Sequence, residues 1–116
     1  MKKLFTLAAT AFLAFAAYAA APQFPGGKQA LDEYIASNMK YPETAKSNGI
    51  EGAVDVAFTV KADGTIGAIK IVRMLDPDLE AEAIRLVKNM PKWTPGDNNG
   101  TPVDAQTQVQ INFVLE

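Results

Sequence analysis

Thr107-Gln108-Val109-Gln110-Ile111-Asn112-Phe113-Val114-Leu115, within the closing segment 103–116, is the stretch that decides the fold. Val103, Ala105, Thr107, Val109, Ile111, Phe113 and Leu115 have one parity; Asp104, Gln106, Gln108, Gln110 and Asn112 have the other. Apolar and polar side chains therefore fall on opposite faces, the period-two pattern of a half-buried strand. A single strand is not stable in water, so partners must come from earlier in the chain. If this strand ends up at the rim of its sheet, its outer row of N–H and C=O groups is open to a strand from another protein.

Two further strands can be read upstream. Gly52 to Lys61 alternates, with Val54, Val56, Phe58 and Val60 on one side. Asp63-Gly64 follows as a hairpin-turn signal, and Thr65 to Met74 is the return strand with Ile69 and Ile71 inward. Ile66 is out of phase with these two, which predicts a bulge near Gly67.

The remaining segments read as helices and connectors. Pro22-Gln23-Phe24-Pro25-Gly26-Gly27 is a turn-rich lead-in. Lys28 to Met39 carries Leu31, Tyr34, Ile35 and Met39 at helical spacing, and Pro42 to Asn48 is a second short helix closed by Gly49. Asp76 to Met90 is the longest, capped by Asp76 or Asp78, with Leu79, Ala83, Leu86, Val87 and Met90 as its apolar stripe and Pro91 as its stop. Residues 91–96 form a stiff connector and 97–102 a polar loop in which Asn99-Gly100 makes a turn. The expected fold is α+β in ααββαβ order, a three-stranded antiparallel sheet packed on one face by helices.

Charge and composition narrow the function classes. The chain begins with Lys2 and Lys3, an apolar run and the small-residue series Ala16-Ala17-Tyr18-Ala19-Ala20-Ala21. This is the pattern of a secretory signal peptide over residues 1–21, cut after Ala19 or Ala20, leaving a domain at 22–116. The competing reading is an uncleaved inner-membrane anchor facing the periplasm. Without Lys2 and Lys3, the 11 basic residues become 9 against 13 acidic ones, a net charge of −4. No basic cluster points to nucleic acid.

The chain has neither cysteine nor histidine, which removes disulfides, thiol and imidazole chemistry and nearly all zinc sites. An enzymatic reading has its best case in the pairs Asp76 with Asp78 and Glu80 with Glu82. Capping and dipole matching explain them more simply, and the expectation is no catalytic residue, no metal and no cofactor. Residues 97–100 lack the later glutamate of a calcium loop.

Several motifs then resemble one family in order and spacing: Tyr41-Pro42-Glu43-Thr44-Ala45, Gly49-Ile50-Glu51-Gly52, the Asp63-Gly64 hairpin, Trp93-Thr94-Pro95-Gly96 and the terminal strand. They resemble the C-terminal domain of TonB, the energy transducer of Gram-negative outer-membrane transport, over roughly residues 24–116. Tyr41 and Trp93, beside prolines, suit the ends of a thin sheet, and Gly52 and Gly96 suit tight turns into strands or loops.

The resemblance implies that the last strand receives an extended segment, the TonB box of an outer-membrane transporter. By position the receptor residues are Gln106, Thr107, Gln108, Val109, Gln110, Ile111 and Asn112, acting mainly through backbone groups. Asn38, Met39 and Lys40 are expected beside them. Family members that transduce force have an anchor and a long Pro-rich linker, whereas here the apolar segment reaches the domain within a few residues. The expectation is thus a free periplasmic binding module whose partner is a TonB-dependent transporter or another periplasmic protein, with membrane contact only if residues 1–21 stay attached. The alternative is an assembly domain that pairs with itself, as a homodimer, through the same strand.

Overall fold

The structure, a computed structural model, describes residues 20–115. Its elements are α1 (Gly27–Asn38), α2 (Glu43–Ser47), β1 (Gly52–Val60), β2 (Ile66–Arg73), α3 (Pro77–Lys88), β3 (Gly96–Asn98), β4 (Thr101–Val103) and β5 (Ala105–Phe113). The expected signal segment at 1–21 lies outside the described residues except for Ala20 and Ala21. None of the described helices is long and apolar enough to cross a membrane.

Alternation in β1 and β5 produces two strands that pair antiparallel through nine consecutive residues, from Gly52 opposite Phe113 to Val60 opposite Ala105. β2 pairs with the other side of β1, so the sheet order is β2-β1-β5 and β5 is an edge strand. The faces separate as the parity requires. Val54, Val56, Phe58 and Val60 from β1 are buried with Val109, Ile111 and Phe113 from β5, while Gln106, Gln108, Gln110 and Asn112 are exposed.

The core between sheet and helices is closed by α3. Leu79, Ala83, Leu86, Val87 and Met90 are all buried, and they recur three or four residues apart, the spacing that builds one helix face. Asp76 is the N-cap: its side chain accepts from the N–H groups of Asp78 and Leu79, two of the donors a helix start leaves unpaired. Glu80 accepts the N–H of Leu75. The carboxylates at 76 and 80 are thus occupied in building the helix start.

β2 meets β1 irregularly. Its register shifts between Asp55 and Val56 and again between Ala57 and Thr59. Ala68, at the second shift, has φ 51°, a left-handed conformation that costs an alanine about 1 kcal/mol. This is the bulge foreshadowed by the misphased Ile66. An Ala68→Gly variant is expected to gain about 1 kcal/mol of stability, read as a higher midpoint in urea unfolding. A lowered midpoint would show that the methyl is not strained there, because the extra unfolded-state freedom of glycine alone costs about 0.5–1 kcal/mol.

Two expectations need correction. Residues 97–102 are not a plain polar loop: β3 and β4 form a two-stranded hairpin of their own, separate from the main sheet. Asn99 (φ 54°) and Gly100 (φ 91°) make its turn, and positive φ at both central residues is what a tight two-residue hairpin needs. The last strand accordingly begins at Ala105, and Val103 belongs to β4.

The lead-in is also more than a turn. Ala20 exchanges backbone hydrogen bonds with Asp97, and Gln23 with Thr94. Phe24, only 6% exposed, then sets its ring edge-on to Trp93 at 5.8 Å and tilted to Tyr34 at 5.6 Å.

Candidate functional site

The motif residues sit at the two ends of the sheet. At one end Tyr41 packs edge-on against Phe113, ring centroids 5.7 Å apart, and its hydroxyl donates to the Ile50 carbonyl. Pro42 is the N-cap of α2, and Gly52 begins β1 where a side chain would meet Leu75. At the other end Trp93 packs edge-on against Phe58 at 5.2 Å. Its backbone N–H donates to the Gly64 carbonyl at 2.9 Å, which joins the Asp63-Gly64 hairpin to the Trp93-Thr94-Pro95-Gly96 connector. Asp63 accepts from the backbone and hydroxyl of Thr65, bonds that hold its carboxyl below the usual carboxylate range. Pro95 is half-buried in the connector, and Gly96 lies against the Ala105 methyl. These residues hold the fold together.

The edge itself is different. β1 occupies one side of β5, and no described strand occupies the other. Val109 and Ile111 point into the core, Thr107 is half-buried, and Gln106, Gln108, Gln110 and Asn112 point outward. Residues 106–112, the expected receptor residues, therefore share one continuous strand, whose unpaired rim consists of main-chain groups.

Beside that rim runs α1. A cleft separates them along most of their length. Lys28 and Leu31 face Thr107 and Gln108 at one end, Leu31 and Ile35 face Val109 and Gln110 in the middle, and Ile35 and Met39 face Asn112 and Val114 at the other. The middle section has a volume of about 410 Å³, in the range that ligand clefts occupy. α1 buries no residue fully: Leu31, Tyr34, Ile35 and Met39 are half-buried. The stripe read from the sequence is real, but much of it looks into the cleft.

Asn38, Met39 and Lys40 divide into two roles. Met39 lines the cleft. The backbones flanking it are held by α3, since the Asn38 carbonyl accepts from Arg85 Nη2 at 2.8 Å and the Lys40 N–H donates to Glu82 Oε2 at 2.7 Å. Glu82 is 7% exposed and takes two further bonds from Arg85, both at 2.7 Å. Burial works against its charge, but the Arg85 and Lys40 hydrogen bonds outweigh that and hold its pKa below the usual glutamate value. Tyr34 adds a second tie from α1 to α3 by donating to the Leu86 carbonyl at 2.7 Å. The sequence did not single out Glu82 as a clasp. Its spacing to Arg85 was the available signal.

Among the described residues no group of acidic side chains is arranged to hold a metal ion.

Comparison with known proteins gives this architecture a family. Residues 37–115 match the family described as Gram-negative bacterial TonB protein C-terminal, and the chain belongs to it. Two NMR solution structures of the Helicobacter pylori TonB C-terminal domain are similar at 28% identity. One covers 74% of this chain and 90% of its own with a TM-score of 0.57, the other 73% and 77% with 0.56. The Pseudomonas aeruginosa TonB C-terminal domain is similar at 28% identity over 67% of this chain and 79% of its own, with a TM-score of 0.55. No curated protein matches. Domains of this family are non-enzymatic interaction domains linked to TonB-dependent transport in Gram-negative bacteria. Most of α1 precedes the matched residues.

Proposed function

We propose that this chain is a periplasmic protein-binding module of TonB-dependent transport, and that it takes an extended segment of TonB-box type as a fourth strand beside β5. The observation that carries this reading is the contrast between the two rims of the sheet. β5 runs through nine pairs without a register shift and presents a straight, unpaired outer side, whereas β2 is interrupted twice. Strand addition needs a regular rim, because each new hydrogen bond depends on the last being in register. Gln106, Thr107, Gln108, Val109, Gln110, Ile111 and Asn112 supply the backbone for it, and Met39 stands at the far end of the cleft.

Titration with the N-terminal peptide of an outer-membrane transporter is expected to shift the amide resonances of residues 106–112. Two versions of the peptide, N-methylated on alternate sets of residues, test the bonding directly. The set whose N–H groups face β5 should lose roughly 100-fold in affinity, as three hydrogen bonds at about 1 kcal/mol each imply, and the other set should bind. Unmoved resonances at 106–112 together with a stable dimer in sedimentation would instead assign the rim to self-pairing.

A further inference from the structure

The cleft has two walls of different chemistry, and their dimensions agree. Along α1, residues four apart rise about 6.0 Å, so Leu31, Ile35 and Met39 stand about 6 Å from one another along the cleft. In an extended strand, residues two apart are about 6.7 Å apart and project to the same side. Over three contacts the two repeats drift by little more than 1 Å, which side-chain rotation absorbs. We infer that α1 selects the bound segment by its side-chain pattern, accepting six or so residues in which apolar side chains at every second position meet Leu31, Ile35 and Met39. This rests on strand addition at β5, and it names the chemistry of what is added.

The other positions of such a segment are polar and uncharged. They project to the side opposite the α1 stripe, where the exposed Gln108, Gln110 and Asn112, which also border the cleft, offer cross-strand amide partners. No charge is demanded at the rim, because Lys28 and Asp32 already neutralise each other at 3.1 Å one turn apart. The half-buried state of the α1 stripe supplies the gain: its apolar surface left open to the cleft is removed from water when alternate apolar residues arrive.

Two synthetic peptides of identical composition test this with the exported protein, so that length and charge cancel. In one, three valines alternate with threonines; in the other the three valines are contiguous. The alternating peptide, with three valines on the α1 side against two in the contiguous one, should bind about tenfold more tightly, and a Leu31→Ser, Ile35→Ser double variant should weaken both peptides and bring their affinities together. Far-UV circular dichroism checks that the variant is folded, and the comparison of peptides on the unaltered protein stands without it. Equal affinities, with equal shifts at residues 106–112, would overturn selection by α1 and leave strand addition standing. A preference that survives the double variant would overturn it too. No shift with either peptide would overturn strand addition, and the inference with it.

Discussion

A Gly64→Ala variant is expected to lose about 3 kcal/mol of stability, which for a domain of this size lowers the melting temperature by roughly 10–20 °C. Gly64 has φ 87°, where any other residue carries about 1–2 kcal/mol of strain. An added Cβ would also stand 2.4 Å from the Trp93 carbonyl oxygen, so the hairpin and the connector would have to part. That parting breaks the 2.9 Å bond from the Trp93 backbone N–H to the Gly64 carbonyl and loosens Trp93 from Phe58 and Phe24. Differential scanning calorimetry reads the effect, and a melting temperature within 3 °C of the parent would show that the close approach is not a constraint. Because β5 lies beyond this joint, the variant also tests whether the hairpin holds the sheet's far end.

Glu82→Ala should cost about 2–3 kcal/mol. It leaves the Arg85 guanidinium and the Lys40 N–H without their acceptor at a buried position, and removing one partner from such a group costs more than the group contributes when complete. The solvent-facing side of Arg85 keeps the figure at the lower end of the range for buried pairs. The pH dependence follows from the sign of the shift. The carboxyl of folded Glu82 titrates below its usual value of 4.5, so its contribution is complete above that value and is lost as pH falls through the lower, folded one. Urea midpoints measured from pH 6 downward should fall more steeply below pH 4.5 for the parent than for the variant. Parallel slopes would mean that the clasp does not hold the charge.

The strands and α3 were legible in the sequence for a common reason: each repeats its pattern often enough for the faces to separate. Val54 to Val60, Val109 to Phe113 and Leu79 to Met90 fall on the buried side where the spacing puts them. The β3–β4 hairpin was not legible, because strands of three residues, Gly96-Asp97-Asn98 and Thr101-Pro102-Val103, are too short to show any period. Only Asn99-Gly100 announced the turn.

Phe24 was missed for a different reason. It is a lone aromatic among prolines and glycines, and its burial depends on Trp93, far away in the chain. Glu82 was read as an ordinary acidic residue on a helix, since nothing local reveals that the Asn38–Lys40 connector will cover it. At the candidate site the β5 residues came from alternation and from family resemblance together. The cleft beside them needed the structure, because an amphipathic stripe does not say whether it meets a core or a vacancy.

The irregular β2 rim bears on how large an assembly of these chains can grow. A copy that joins another through β5 would consume the straight border of the three-stranded sheet, and the border on that sheet's far side is kinked at Ala68 and out of step with β1. Such a union is isologous and closes at two subunits. Fibrillar stacking through the main sheet would need a second straight border, which the bulged β2 does not offer.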